Sequence, residues 1–99
     1  MLPVVLSKRF RKDLKRAQKR GLDLDLLDAV VNQIAQRKTL DQRYRDHELT
    51  GQYAGFRECH VKPDWLLIYR VEEDEVFLLL SRTGTHSDVC CRFWKALFV

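Results

Sequence analysis

The sequence predicts an α+β fold with an N-terminal strand, a two-helix hairpin and then an antiparallel β-sheet meander. Two early segments repeat apolar residues at helical spacing, and three later segments are short apolar runs bounded by turn residues. Helices and strands therefore occupy separate stretches of the chain, which is typical of α+β proteins. Because 99 residues suit one folding unit, we expect a single domain over residues 1–99.

The first strand and first helix are predicted from residues 3–21. Pro3 to Leu6 is a short β-prone run, and Pro3 favours an edge strand because proline cannot donate to a ladder. Ser7 has the properties of a helix N-cap. One narrow apolar stripe follows on an otherwise cationic helix, which Gly21 should end; the stripe consists of Phe10, Leu14 and Ala17.

A second helix should begin after Asp23 or Asp25 and run to about Arg37, with a broader apolar face. That face consists of Leu27, Val30, Val31 and Ile34. Because the link between the two helices is short, we expect them to pack as an antiparallel hairpin.

The remaining elements are an ordered loop from Thr39 to Gln52 and three strands near 54–61, 64–71 and 75–82. The second strand contains an unbroken apolar run from Trp65 to Tyr69. Such a run indicates burial on both faces, so this strand should be central in the sheet.

Composition restricts the class of protein. Net charge is +4, and eight of the 18 basic residues lie between Lys8 and Arg20. This block favours a polyanionic partner, although it is also compatible with a solvated helix face. Three cysteines without metal-ligand spacing fit a reduced, cytoplasmic setting. No apolar run approaches the roughly 20 residues of a membrane helix, and the N-terminus lacks a signal peptide's charge order.

All three histidines lie around the hairpin predicted at residues 56–69. His60 and Asp64 lie at its connection, His47 precedes it, and Arg82 and His86 follow at the end of the next strand. If the strands pair, these groups converge on one end of the sheet. Histidine exchanges protons near neutral pH and arginine binds phosphate bidentately, so the set suits metal-independent phosphodiester cleavage.

The same residues resemble the YafQ branch of the RelE/ParE toxin superfamily over roughly residues 1–89. The resemblance depends on six segments whose order and spacing agree: His47-Glu48-Leu49-Thr50-Gly51, Gly55-Phe56-Arg57, His60-Val61, Pro63-Asp64-Trp65, Ile68-Tyr69 and Arg82-Thr83-Gly84-Thr85-His86. It implies a RelE-like fold and a type II toxin that cuts messenger RNA on the ribosome, without cofactor or metal. It also implies inhibition by a cognate acidic antitoxin of the RelB/DinJ kind.

The resemblance further implies roles for individual residues. Asp64 or His60 would be the general base, His86 the general acid, Arg82 a phosphate clamp, and His47 a supporting acid/base or binding group. Contacts with ribosome and mRNA phosphates would come from the basic helix, through Lys8, Arg11, Lys12, Lys15, Arg16, Lys19 and Arg20.

One departure from the family pattern lies near the C-terminus. Cys90 stands where related toxins have an aromatic residue, and the resemblance does not cover the short C-terminal extension at 91–99. Either Phe93 or Trp94 substitutes for that aromatic, or activity is weakened; alternatively the extension packs on the domain or forms a dimer contact.

Two other functions are compatible with the residues. A non-catalytic binder, such as the gyrase-inhibiting ParE branch, would use the scaffold without the histidines. A metal-dependent hydrolase is disfavoured because no HxxxH or HxH spacing is present.

Overall fold

The structure is a computed structural model that describes residues 1–85, 88 and 89. It has two α-helices and five strands; the helices and the four predicted strands occur in the predicted order, and two single 3₁₀ turns lie between α2 and β3. The elements are β1 (Val4–Leu6), α1 (Lys8–Lys19), α2 (Leu24–Ala35), β2 (His47–Glu48), β3 (Arg57–Lys62), β4 (Trp65–Glu72) and β5 (Phe77–Gly84). The α+β class is confirmed, whereas the predictions for His86, Cys90 and residues 91–99 lie outside the described residues.

The strands form one sheet in the order β1-β5-β4-β3-β2. Its central strand is β4, as the apolar run from Trp65 predicts, and β3, β4 and β5 form the predicted antiparallel meander. Strand β1 is at the edge, as Pro3 predicts, but it pairs parallel with β5, so the sheet is mixed. The two-residue β2 was missed because His47 and Glu48 are exposed and give no alternating pattern.

Local signals fix the ends of both helices. Ser7 caps α1, its hydroxyl accepting a hydrogen bond from the Phe10 amide at 3.0 Å, and Gly21 ends it with a φ of 75°. Asp23, the first of the two candidates, caps α2 by accepting from the Asp25 amide. Helix α2 ends at Ala35, before the predicted Arg37, because Arg37 has a left-handed φ of 60°.

Both helices cover one face of the sheet and contribute to a single core. Helix α1 packs mainly on β5 and α2 on β3, where Phe10 and Val30 are buried against Leu67 and Leu78. The two helices of the expected hairpin leave an open groove of about 410 Å³ that is lined by residues of both. Among the described residues, no helix is long and apolar enough to cross a membrane.

Candidate active site

Two of the predicted site residues are brought to one end of the sheet by strand register. His60 of β3 is paired with Leu66 of β4, and Leu66 is paired with Gly84 of β5. The turn containing Asp64 lies just beyond this row, between β3 and β4. The predicted convergence of the hairpin turn with the end of β5 is therefore present, and His86 follows Gly84 by two residues in the sequence.

The next row along the sheet contains the other two described candidates. His47 is opposite Glu58, Glu58 is opposite Ile68, and Ile68 is opposite Arg82. Cross-strand partners lie on the same face of a sheet, and so do residues two apart on one strand. The Cβ atoms of His47, Arg82 and His60 therefore lie on the same face of the sheet.

His47 is held at the sheet edge by contacts to both ring nitrogens. Nδ1 lies 2.7 Å from the Arg45 carbonyl oxygen, and Nε2 lies 3.5 Å from a carboxylate oxygen of Glu58. The ring is about half exposed, whereas Glu58 is buried. These two contacts fix the orientation of the ring while it stays accessible.

The residue before His47 anchors this short strand. Asp46 accepts a hydrogen bond from the Tyr69 hydroxyl at 2.5 Å and from Arg57 Nη2 at 3.1 Å. Burial, followed by the contact with Asp46, raises the pKa of Tyr69, so the phenol remains a donor. Sequence reasoning missed this positioning role, although an acid directly before a candidate histidine is a signal that could have indicated it.

His60 and Asp64 lie close in the chain at an open turn. The Nδ1 atom of His60 lies 3.3 Å from the Pro63 carbonyl oxygen, and the ring is partly exposed. Asp64 is exposed in the turn itself. Both groups are therefore accessible to a substrate approaching this end of the sheet.

Arg82, predicted to be a phosphate clamp, already has a carboxylate partner within the protein. It is buried, and its Nε and Nη2 atoms donate to the two carboxylate oxygens of Asp13 at 2.8 and 3.3 Å. The Thr83 amide also donates to Asp13, at 3.1 Å. The hydrogen bond from Arg82 to Asp13 raises the pKa of the guanidinium, which stays charged. Arg82 thus joins β5 to α1.

Asp13 was missed by sequence reasoning, although a signal existed. It is the only acidic residue between Lys8 and Arg20, and it lies on the apolar side of the helix with Phe10 and Ala17. Strand β1 ends at Leu6, opposite Leu80, so among the described strands none pairs with Thr83 on that side. Asp13 accepts the hydrogen bond of this buried amide.

A second carboxylate, Asp88, attaches the segment after β5 to the same helix. It lies 2.7 Å from Arg20 Nη1 and 3.4 Å from Arg16 Nη1, and it accepts from the Thr85 amide. The hydrogen bond from Arg20 is the main reason that its pKa falls to about 2. Arg16 and Arg20, predicted to bind RNA, therefore also have structural partners.

The lysines and arginines of α1 lie on adjacent strips of the helix surface, and Lys12 lines a cleft together with Arg9, Asp13 and Arg16. Lys8, Lys12, Lys15 and Lys19 recur at intervals of four and three and are exposed, and we call them the lysine stripe. Arg16 lies near both Asp13 and Asp88, Arg20 forms an ion pair with Asp88, and Arg9 lines the cleft beside Asp13. The lysine stripe and the exposed Arg11 have the accessibility that the predicted RNA contacts require.

The thiol of Cys59 is unsuited to nucleophilic chemistry. It is fully buried, and burial raises its pKa to about 12. Within residues 1–85, 88 and 89, no group of three or more His, Cys, Asp or Glu side chains has an arrangement that could hold a metal ion. Trp65 is also structural, since it is buried and its Nε1 donates to Thr83 Oγ1 at 2.9 Å.

Comparisons with known proteins agree with this architecture. The family model for YafQ, a bacterial toxin of a type II toxin–antitoxin system, matches residues 2–91. The mRNA interferase toxin YafQ of Escherichia coli (strain K12) is 39% identical over 82 residues, which is 82% of this chain and 87% of that protein.

Solved structures give the same result. A metal-bound toxin from Helicobacter pylori superposes with a TM-score of 0.85 at 47% identity, over 90% of this chain and 99% of that one. A chain of the E. coli DinJ-YafQ toxin-antitoxin complex superposes with a TM-score of 0.80 at 36% identity, over 89% of this chain and 96% of that one. The chain therefore belongs to the YafQ family of type II toxin–antitoxin toxins.

Proposed function

We propose that this protein is an mRNA interferase that acts in the cytoplasm, cleaving messenger RNA on the ribosome by general acid–base catalysis without a catalytic metal. Relatives named as mRNA interferases support the reaction class. The main support in this chain is the strand pairing of His60 with Leu66 and of Leu66 with Gly84. This pairing brings the Asp64 turn and the end of β5 to the same end of the sheet.

The reaction needs a base for the ribose 2′-OH and an acid for the departing 5′-oxygen. Asp64 or His60 takes the first role, since both are accessible at the same turn. His86 takes the second role. The 2′-oxygen attacks the adjacent phosphorus, the bond to the 5′-oxygen breaks, and the products carry a 2′,3′-cyclic phosphate and a 5′-hydroxyl.

Arg82 and His47 support this chemistry from the neighbouring row. The Arg82 guanidinium is fixed by Asp13, so little conformational entropy remains to be lost when phosphate binds. A surface cleft of about 170 Å³ gives a phosphate access to it; besides Arg82 and its partner Asp13, the cleft is lined by the cations Arg9, Lys12 and Arg16. His47, with Glu58 behind it, acts as a second proton carrier or as a contact to the RNA.

The remaining contacts are electrostatic. The lysine stripe and Arg11 bind the phosphates of the ribosome and mRNA, while Arg16 and Arg20 add charge beside the Asp88 segment. A cognate acidic antitoxin binds this toxin and covers its active end; the DinJ-YafQ complex of E. coli is a toxin–antitoxin complex of a relative.

The test is primer extension on an mRNA translated in a purified system, with the 5′ ends of the fragments then labelled by polynucleotide kinase. We expect cuts at fixed positions within codons only when ribosomes are present. The fragments should accept label without prior phosphatase, because this mechanism leaves a 5′-hydroxyl. Fragments with a 5′-phosphate would instead indicate metal-dependent hydrolysis, and absence of cuts would indicate a non-catalytic binder.

A matched pair of variants assigns the chemistry to this end of the sheet. Asp64→Asn should abolish most cleavage, whereas Asp74→Asn should not. Both aspartates are exposed in hairpin turns, but the turns lie at opposite ends of β4. Equal activity of the two variants would remove Asp64 from the mechanism.

A further inference from the structure

A pocket of about 360 Å³ opens beside His60, at the edge of β3. Its apolar wall is formed by Leu26 of α2 and Val61 of β3. Arg43, Tyr44 and Lys62 form the polar wall, and His60 completes it. The pocket therefore combines an aromatic ring, an apolar surface and two exposed cations next to a proposed catalytic residue.

The pocket exists because β3 is longer than its neighbour. Strand β2 pairs only with Arg57 and Glu58, so beyond that point β3 is covered by the 3₁₀ turn at Gln42–Tyr44 instead of a strand. Asp41 caps this turn by accepting from the Arg43 amide at 2.9 Å. The turn places the Tyr44 ring, partly buried against the core, next to the exposed strand edge.

The ring of Tyr44 is held in place before any ligand binds. Nη2 of Arg43 donates to the Tyr44 hydroxyl at 2.8 Å, and the guanidinium carbon lies 4.8 Å from the ring centroid. Proteins recognise unpaired RNA bases by stacking them on aromatic rings or on arginine guanidinium planes, and lysines nearby bind the backbone. A held ring and guanidinium also lose little entropy on binding.

We propose that this pocket binds one nucleobase of the mRNA, in the nucleotide adjacent to the scissile phosphate, and so contributes to the choice of cleavage site. The base stacks on the Tyr44–Arg43 pair and packs against Leu26 and Val61, while Lys62 contacts its phosphate. A site for phosphate alone would not need an apolar wall, and a site for an apolar ligand would not need two cations; a nucleotide has both a base and a phosphate. The inference rests on the proposed RNase function, since His60 connects the pocket to the chemistry.

The first experiment maps cleavage positions on a translated mRNA for the parent, Tyr44→Leu and Arg43→Gln. We expect the base preference at one fixed position beside the cut to relax, and cleavage at preferred sites to fall about tenfold, the size of one lost stacking contact. Arg45→Gln is the matched control, because it removes an exposed cation from the same segment outside the pocket wall. An unchanged map for Tyr44→Leu and Arg43→Gln overturns the proposal.

A second experiment does not require catalysis and so separates the pocket from the proposed function. Nucleoside monophosphates should shift the backbone amide NMR signals of residues 44 and 61 in the parent. The signals of the same two positions should not shift in Tyr44→Leu. Ribose 5-phosphate, which lacks a base, should leave them in place. If no nucleotide shifts these signals, the proposal is also overturned. That result would be expected of a pocket that binds only a side chain of a protein partner.

Discussion

At the scale of single residues, the carboxylate of Asp13 joins the cationic helix α1 to strand β5. Asp13 is 3% exposed and accepts from Arg82 and from the Thr83 amide. A buried ion pair contributes little net stability when complete, but removing one partner leaves a desolvated charge. Asp13 and Arg82 therefore depend on each other.

We expect Asp13→Ala to lower the free energy of unfolding by about 3–5 kcal/mol, because it leaves the Arg82 guanidinium buried without its partner. Urea denaturation followed by circular dichroism measures this. Asp28→Ala, which removes an exposed acid from α2, is the control and should change stability by less than about 0.5 kcal/mol. A similar small effect for Asp13→Ala would contradict the structural role.

Replacing Arg82 by lysine should reduce cleavage by about 10²-fold, because an ammonium does not reproduce two parallel contacts to phosphate. It should also cost about 1–3 kcal/mol of stability, since Asp13 loses part of its hydrogen bonding. Single-turnover cleavage at a temperature where both proteins are folded separates the effects. Parental rates for the folded variant would leave Arg82 with only a structural role.

The candidate site also shows which residues a sequence reveals. His47, His60 and Asp64 could be proposed from the sequence because their side chains suit proton transfer and they flank one hairpin. Asp13 and Asp46 were missed because their importance depends on pairing with Arg82 and Tyr69, which are 69 and 23 residues away. Burial of Arg82 depends on the same pairing, so the sequence suggested only its charge.

At the scale of elements, helix α1 presents different chemistry on each side. Its buried side packs on β5. Arg16 and Arg20 form ion pairs with Asp88, Arg16 also lies near Asp13, and the lysine stripe is exposed. The spacing of the lysines was readable from the sequence. The ion pairs of Arg16 and Arg20 were not, since they require the position of Asp88 relative to the helix.

The double variant Lys12→Gln/Lys15→Gln should weaken association with ribosomes and lower the slope of log affinity against log salt by about 1.5–2, because two phosphate contacts are lost. Ribosome pelleting over a series of monovalent salt concentrations measures the slope. The matched control is Lys38→Gln/Arg45→Gln, which removes two exposed cations elsewhere. If both doubles lose affinity equally, the effect is due to net charge and not to the helix.

The Asp88 anchor should be sensitive to acid. Its folded-state pKa is about 2, against an ordinary 3.8, so the ionised carboxylate is favoured in the folded protein. This stabilisation is complete above about pH 4 and is lost as the pH falls toward 2. We expect the stability difference between parent and Asp88→Asn to be largest at pH 5 and to vanish near pH 2. A difference that is independent of pH would show that the charge is not involved.

At the scale of the whole molecule, the order of elements and the central position of β4 followed from periodicity and from the apolar run at Trp65–Tyr69. Three features did not: the parallel pairing of β1, the two-residue β2, and the groove between the helices. Each depends on contacts between distant segments, which a local pattern does not encode. The helices separate because each buries its apolar face on a different strand of the sheet.

The groove and the charge together determine what kind of antitoxin fits this toxin. The net charge is +4, and the lysine stripe is exposed. The groove of about 410 Å³ lies on the other side of α1 and is mainly apolar, with Asp25 and Asp28 among its lining residues, so it suits the apolar anchors of a partner and the lysine stripe suits its acidic groups. An acidic segment with apolar anchors, folding as it binds, satisfies both surfaces and can extend to cover the active end.

Co-expression with the product of an adjacent small gene should therefore restore growth and give a complex that survives purification. Its RNase activity should be silent until the partner is removed with denaturant and the toxin is refolded. Because charge attraction mainly accelerates association, the variant Lys12→Gln/Lys15→Gln should slow the association rate more than it speeds dissociation, as measured by surface plasmon resonance. High-level expression of the unmodified chain alone, without effect on growth or translation, would contradict the need for such an inhibitor.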